Sequence, residues 1–278
     1  MPVSIAEASD DLVVQAATKA QQVKSSFLRY VWLSALAGAF VGIAVVLLIS
    51  VSAPLVATNS PAAKLVQAAV FGIALTLVVF AGAELFTGNA MVMLQGVVAR
   101  RTRISELVAV WVASLVGNFV GSVGLAAVVH GGGTLSGGPG AALVAAATKA
   151  KDAAAGPQLF WRALLCNMLV CLALWMAART KSDGAKLVVL WWALLAFIGS
   201  GFEHSIANMT LFSLGIFEHS ATWSMLLRNL AWTVPGNIVG GGVVIGAGYA
   251  WLGSVRERSA LADEVAAMAA LEPEAAVA

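Results

Sequence analysis

The chain reads as an all-α, polytopic membrane protein: six transmembrane helices in an inverted three-plus-three repeat. Three observations predict this. Of its 278 residues 60% are hydrophobic and only 11% charged, with a mean hydropathy of +0.90, whereas a soluble domain carries about a quarter charged residues. Six stretches approach or exceed the roughly 20 apolar residues that a spanning helix needs. Two halves of the chain also share motifs at a constant offset. The same composition excludes other classes. Disorder needs low hydrophobicity and high charge, and a disulfide scaffold needs more than Cys166 and Cys171. A net charge of +2 supplies no basic field for nucleic acid, so the lipid bilayer is the expected surrounding.

Residues 1–27 come first, polar and Ala-rich, with no basic-then-apolar pattern of a cleaved leader. They predict an amphipathic helix lying at the membrane surface. The six-span domain follows over 28–252, with spans near 28–52, 67–98, 106–130, 158–179, 185–214 and 224–252. An acidic, Ala-rich tail occupies 253–278. Six spans put both termini on one side. That side holds 11 of the 16 Lys and Arg residues, among them Lys19, Arg100, Arg101 and Arg179; the other holds Lys64, Lys149, Lys151, Arg162 and Arg228. Positive residues stay preferentially in the cytoplasm, so both termini and the tail are expected there, with the protein in the inner membrane.

The second and fifth spans are too long and too polar at their centres to be simple helices. One carries Gly82, Glu84 and Asn89; the other carries Gly201, Glu203, His204 and Asn208. Irregular backbone survives at membrane depth only where protein buries it or a watery cavity adjoins it, so both spans are expected to be broken. Gly82, Glu84 and Asn89 map onto Gly201, Glu203 and Asn208 at an offset of 119, which also carries GNFVGS (117–122) onto GNIVGG (236–241). The repeats run over about 28–130 and 158–252. Three spans in each copy invert the second relative to the first. Inverted repeats with interrupted helices in equivalent places point to a permeation site between them.

His204 is the sharpest candidate within that site. Ionisable groups in apolar spans are costly and usually functional, and a histidine exchanges protons near neutrality. A weak-acid anion that takes a proton there crosses as a neutral species. Glu84 and Glu203 sit at one repeated position and are expected to accept backbone N–H groups freed by the helix breaks. Asn118 and Asn237 are expected to bridge close-packed helices, and Asn167 to reach His204. His130 and His219 lie near loop ends. No metal is expected: three scattered histidines and two cysteines lack ligand spacing. Neither a nucleophile nor a cofactor platform accompanies His204, so the chain is read as a transport protein without a cofactor, not an enzyme.

The segments ELFTGN, GNFVGS, SGFEHSIANMTLF and PGNIVGG resemble the formate/nitrite transporter family, over about residues 28–252. LFTGN together with LLCNMLVCLALWMA is most similar to its nitrite-channel branch, and Gly88 stands where the formate branch more often has serine. The resemblance implies an aquaporin-like protomer in a homopentamer, one pore each, carrying nitrite passively or together with a proton; formate, other small monovalent anions and hydrosulfide are the alternatives. It further implies Leu85, Phe86 and Thr87 in a mobile loop, Leu85 with Phe197 as the cytoplasmic constriction, and Phe71 with Phe86 as the outer one. Thr87, Asn167 and Asn237 would be polar pore groups, the first two bonding near His204. Lys151 would draw anions to the outer vestibule.

Overall fold

The computed structural model describes residues 2–254, and every regular element among them is helical. The greater part of the tail expected at 253–278 lies outside the described residues. Helix α1 (Ile5–Ser25) starts where the Ser4 hydroxyl accepts the Glu7 N–H at 3.0 Å. Its Ala8, Leu12, Ala16 and Ala20 recur every fourth residue and are buried, packed in one cluster with Met91, Met93 and Trp175. The helix therefore docks on the bundle itself. Small side chains permit this closeness: a Cβ on Gly96 would lie 2.5 Å from that of Ala16.

The first repeat runs through α2 (Phe27–Ala57), α3 (Ala63–Val70), α4 (Ile73–Phe80), α5 (Phe86–Val98) and α6 (Ile104–Gly131). After α7 (Gly138–Ala153), the second follows as α8 (Gly156–Ala178), α9 (Asp183–Ser200), α10 (Ser205–Phe217) and α11 (Trp223–Asn237). The last helix continues to Ser254 through a π-helical stretch, Ile238–Ala247. Among the described residues six helices are long and apolar enough to cross a membrane, α3 and α4 together forming one of them; α5 and α10 are the shorter apolar helices. The protein is a multi-pass membrane protein. The bend between α3 and α4 has a visible cause, since the Trp191 indole donates to the Ala69 carbonyl at 2.7 Å and so diverts an acceptor from the helix ladder.

Both breaks are built alike. Helix α4 ends on Gly82 (φ +75°) and α9 on Gly201 (φ +73°), a left-handed conformation that only glycine adopts without strain. The next N–H turns back, Ala83 to the Val78 carbonyl and Phe202 to the Phe197 carbonyl, which is the Schellman closure of a helix end. The following residue crosses to a neighbouring span: Glu84 N–H bonds the Leu33 carbonyl, and Glu203 N–H bonds that of Arg162. These partners are 129 apart, while the breaks are 119 apart. The second copy is thus ten residues shorter between its first span and its break, which hides the first and fourth spans from an ungapped sequence repeat.

Glycines set the closest helix contacts. A Cβ on Gly121 would stand 1.8 Å from the Ala35 carbonyl oxygen, and one on Gly38 would stand 2.0 Å from that of Asn118. In the second repeat, a Cβ on Gly236 would stand 2.4 Å from the Phe160 carbonyl oxygen, and one on Gly240 would stand 2.0 Å from that of Leu164. Small residues four apart let backbones touch inside a bilayer, where water provides no driving force between helices.

Candidate permeation site

At each break an asparagine holds the restarting helix. Asn118 Oδ1 accepts the Phe86 N–H at 2.9 Å while its Nδ2 donates to the carbonyls of Ser34 and Glu84. Asn237 does the same 119 residues later: Oδ1 accepts the Ser205 N–H at 3.0 Å, and Nδ2 donates to Ala163 and Glu203. The expectation that Glu84 and Glu203 would take those backbone groups is corrected here. Amides carry both a donor and an acceptor, as a break requires; a carboxylate has only acceptors.

The two carboxylates instead pair with lysines from the helices that precede each repeat. Glu84 takes Lys19 of α1 at 2.6–2.7 Å, with the Tyr30 hydroxyl and Asn89 Nδ2 completing it. Glu203 takes Lys151 of α7 at 2.7 Å and Asn208 Nδ2 at 2.8 Å. Asn208 also reaches Asn229. Lys151 is therefore bound to a buried carboxylate, so its charge is largely balanced where it stands. Helix α7 itself had a signal in the sequence, the alanine-rich run AALVAAATKAKDAA, which favours helix.

Between the repeats lies a narrow cavity of about 10 Å³, lined by apolar side chains that include Phe71, Leu75, Leu85, Val170 and Phe197, and by His204. Phe71 and Phe197 meet edge to face at 5.4 Å, so they stand together rather than at opposite constrictions. Phe86 is not among the lining residues; its ring packs on Trp111 at 6.5 Å. Val170 and Leu75 had no sequence signal, being single apolar residues within apolar spans. On the side of α1, a larger cavity of about 650 Å³ leads towards Leu85, bordered by Glu7, Asp11, Lys19, Glu84 and Gly88.

His204 is buried and stacks on Phe197 at 6.0 Å. Its Nδ1 accepts the Ala207 N–H at 3.1 Å, capping α10. Because an amide N–H can only donate, the neutral ring carries its hydrogen on Nε2. That nitrogen lies 3.2 Å from Thr87 Oγ1, whose oxygen accepts, leaving the Thr87 hydroxyl hydrogen available to a solute. Asn167 does not bond His204; its Nδ2 donates to the carbonyls of Thr87 and Asn237 at 3.1 and 2.7 Å. The repeat-mate of His204 is Leu85, which has nothing to offer the first turn of α5. His130 lies away from this site, 2.7 Å from Glu218 and stacked on Phe217. Its ring and the Ser136 hydroxyl hold the Glu218 carboxyl below its ordinary value. No cluster of potential metal ligands occurs among the described residues.

Comparison with known proteins agrees with this geometry. Residues 6–251 match the family described as Formate/nitrite transporter. The nitrite transporter NirC of Escherichia coli K12 is 42% identical over 234 residues, covering 83% of this chain and 85% of its own. Among solved structures, an FNT family ion channel superposes with a TM-score of 0.83 at 40% identity, covering 88% of this chain and 98% of its own. A pentameric formate channel with formate bound gives 0.70 at 30% identity, covering 83% and 98%. The chain belongs to the formate/nitrite transporter family, a family of channels and transporters rather than enzymes, and it is closely related to the nitrite-transporter branch.

Proposed function

We propose that this protein carries nitrite across the inner membrane, passively or together with a proton, with His204 as the group where anion and hydrogen meet. The observation that carries the reading is one buried imidazole in an otherwise apolar passage, its hydrogen fixed on Nε2 by the cap at Nδ1. The identity to a nitrite transporter supports the choice of solute. In the resting ring, Nε2–H donates to Thr87 Oγ1, and the Thr87 hydroxyl hydrogen is the donor left for a dehydrated anion. A second proton enters at Nδ1 and displaces the cap. The charged ring then has a proton to give, and nitrite that accepts it crosses as the neutral acid, avoiding the cost of a charge in a low-dielectric passage.

The apolar constriction of Phe71, Leu85 and Phe197 excludes hydrated ions. Lys151 is the cation on the outer side of this passage, held by Glu203, and an anion that approaches there meets its ammonium group before the apolar constriction. Basic residues concentrate on the α1 side, so that face and both termini are placed in the cytoplasm. The pentameric relative supports a homopentamer with a pore in each protomer. Formate, or another small monovalent anion including hydrosulfide, is the competing solute, favoured by the formate bound in that same relative. Flux into proteoliposomes supplied separately with nitrite, formate, acetate and hydrosulfide tests the assignment. Nitrite is expected to move fastest. Formate outpacing nitrite would transfer the protein to the other branch, and no flux of any of them from a folded assembly would end the transport reading.

A further inference from the structure

The two repeats match closely at their asparagine clamps and differ at one place beside the pore. At the offset of 129 that relates the first and fourth spans, Gly38 and Gly42 correspond to Asn167 and Cys171. At the offset of 119 that relates the third and sixth, Ser122 corresponds to Gly241. Small and larger side chains have been exchanged between neighbouring helices. In the first copy the glycines sit on α2, and Ser122 Oγ donates to the Gly38 carbonyl. In the second copy the glycine sits on the π-helical stretch, where a Cβ would lie 2.2 Å from Asn167 Nδ2 and 2.6 Å from Cys171 Sγ. The exchange makes room for two polar side chains on α8, and both aim at the same atom. Asn167 Nδ2 lies 3.1 Å and Cys171 Sγ 3.2 Å from the Thr87 carbonyl oxygen.

We infer that Cys171 is a positioning residue of the permeation site, acting with Asn167 to hold the Thr87 backbone and thereby the hydroxyl that faces His204. The thiol is fully buried and unoxidised, so its use is the hydrogen bond and not disulfide chemistry. Thr87 stands on the first turn of α5, at a helix start that its own N-cap, Leu85, does not secure. Two donors on its carbonyl tie that turn to α8 instead. Without the thiol, the first turn has one anchor on this side instead of two, and the Thr87–His204 contact loosens. This inference rests on Thr87 and His204 forming the permeation site.

The test is nitrite influx into proteoliposomes across a pH series, with KM and maximal flux measured separately for wild type, C171A, C171S, T87V and the T87V/C171A pair. Loss of one hydrogen bond corresponds to about a 2- to 10-fold effect. C171A is expected to lower maximal flux by that factor and to shift its pH profile, while C171S, which keeps a donor, stays near wild type. In the T87V background, C171A is expected to change nothing further. G241A, whose added methyl pushes on both donors, is expected to reproduce C171A and serves alone should C171A not assemble. Wild-type behaviour of C171A or G241A, an undiminished C171A effect in T87V, or damage by C171S equal to that by C171A would each overturn the inference. A wild-type protein that carries formate but not nitrite would overturn the solute assignment instead, and the same comparison is then read with formate.

Discussion

Asn237 touches three backbone groups: the Ser205 N–H and the Glu203 carbonyl, which the broken helix would otherwise leave unpaired in the membrane interior, and the Ala163 carbonyl of α8. Each unsatisfied buried group costs about 1–3 kcal/mol. N237A is therefore expected to destabilise the fold by about 2–5 kcal/mol, measured as a drop in Tm of the detergent-solubilised protein, and N237D to do nearly as much because it has no donor. A Tm within a degree of wild type would contradict the clamp. The repeated Gly-Asn pairs were visible in the sequence; what they hold was not, because Asn237 and Ala163 are 74 residues apart. The same limit applies to Lys19 and Glu84, 65 apart. Lys19 was counted for orientation only, since nothing local marks it as the partner of a glutamate in another span. His204 was legible because a lone ionisable residue in an apolar run stands out against its surroundings.

At the scale of elements, the glycines of α6 make a contrast within one helix. Gly121 packs against backbone, whereas a Cβ on Gly124 would meet nothing within 4 Å. G121A must push α2 and α6 apart and is expected to cost about 1–3 kcal/mol or more. G124A removes backbone freedom in an open helical position and is expected to be neutral or to stabilise by about 0.5–1 kcal/mol. Thermal unfolding of the two variants checks the pair, and equal Tm values would refute this packing. Helix existence was legible throughout, because apolar length alone marks a span. The breaks were legible too, through Gly82 and Gly201, which end their helices by positive φ. Two features were not. The interruption of the second span between α3 and α4, at residues 71–72, lies in an apolar run and leaves hydropathy unchanged. The π-helical stretch Ile238–Ala247 answers to packing against α5 and α8, and no local composition announces it.

At the scale of the whole molecule, scarcity of charge does two jobs. It makes lipid the solvent, and it leaves few ionisable groups, whose positions locate the pore. Glu84 and Glu203 are consumed by Lys19 and Lys151, so His204 is the titratable group that remains facing the apolar cavity. Symmetry explains the scaffold and its failure explains the site: the clamps repeat, while His204 corresponds to Leu85, and Asn167 and Cys171 correspond to Gly38 and Gly42. The central claim is that the hydrogen on His204 serves the anion. The most direct measurement is nitrite flux through wild type, H204N and H204A in proteoliposomes, across roughly pH 5 to 8 where a histidine exchanges protons. Asparagine can still accept the Ala207 N–H and donate towards Thr87, yet it cannot titrate. H204N is expected to assemble and conduct with its pH dependence largely lost, and H204A, lacking the donor as well, to conduct less. Flux in H204N that follows pH as wild type does would contradict a role for His204 in proton exchange.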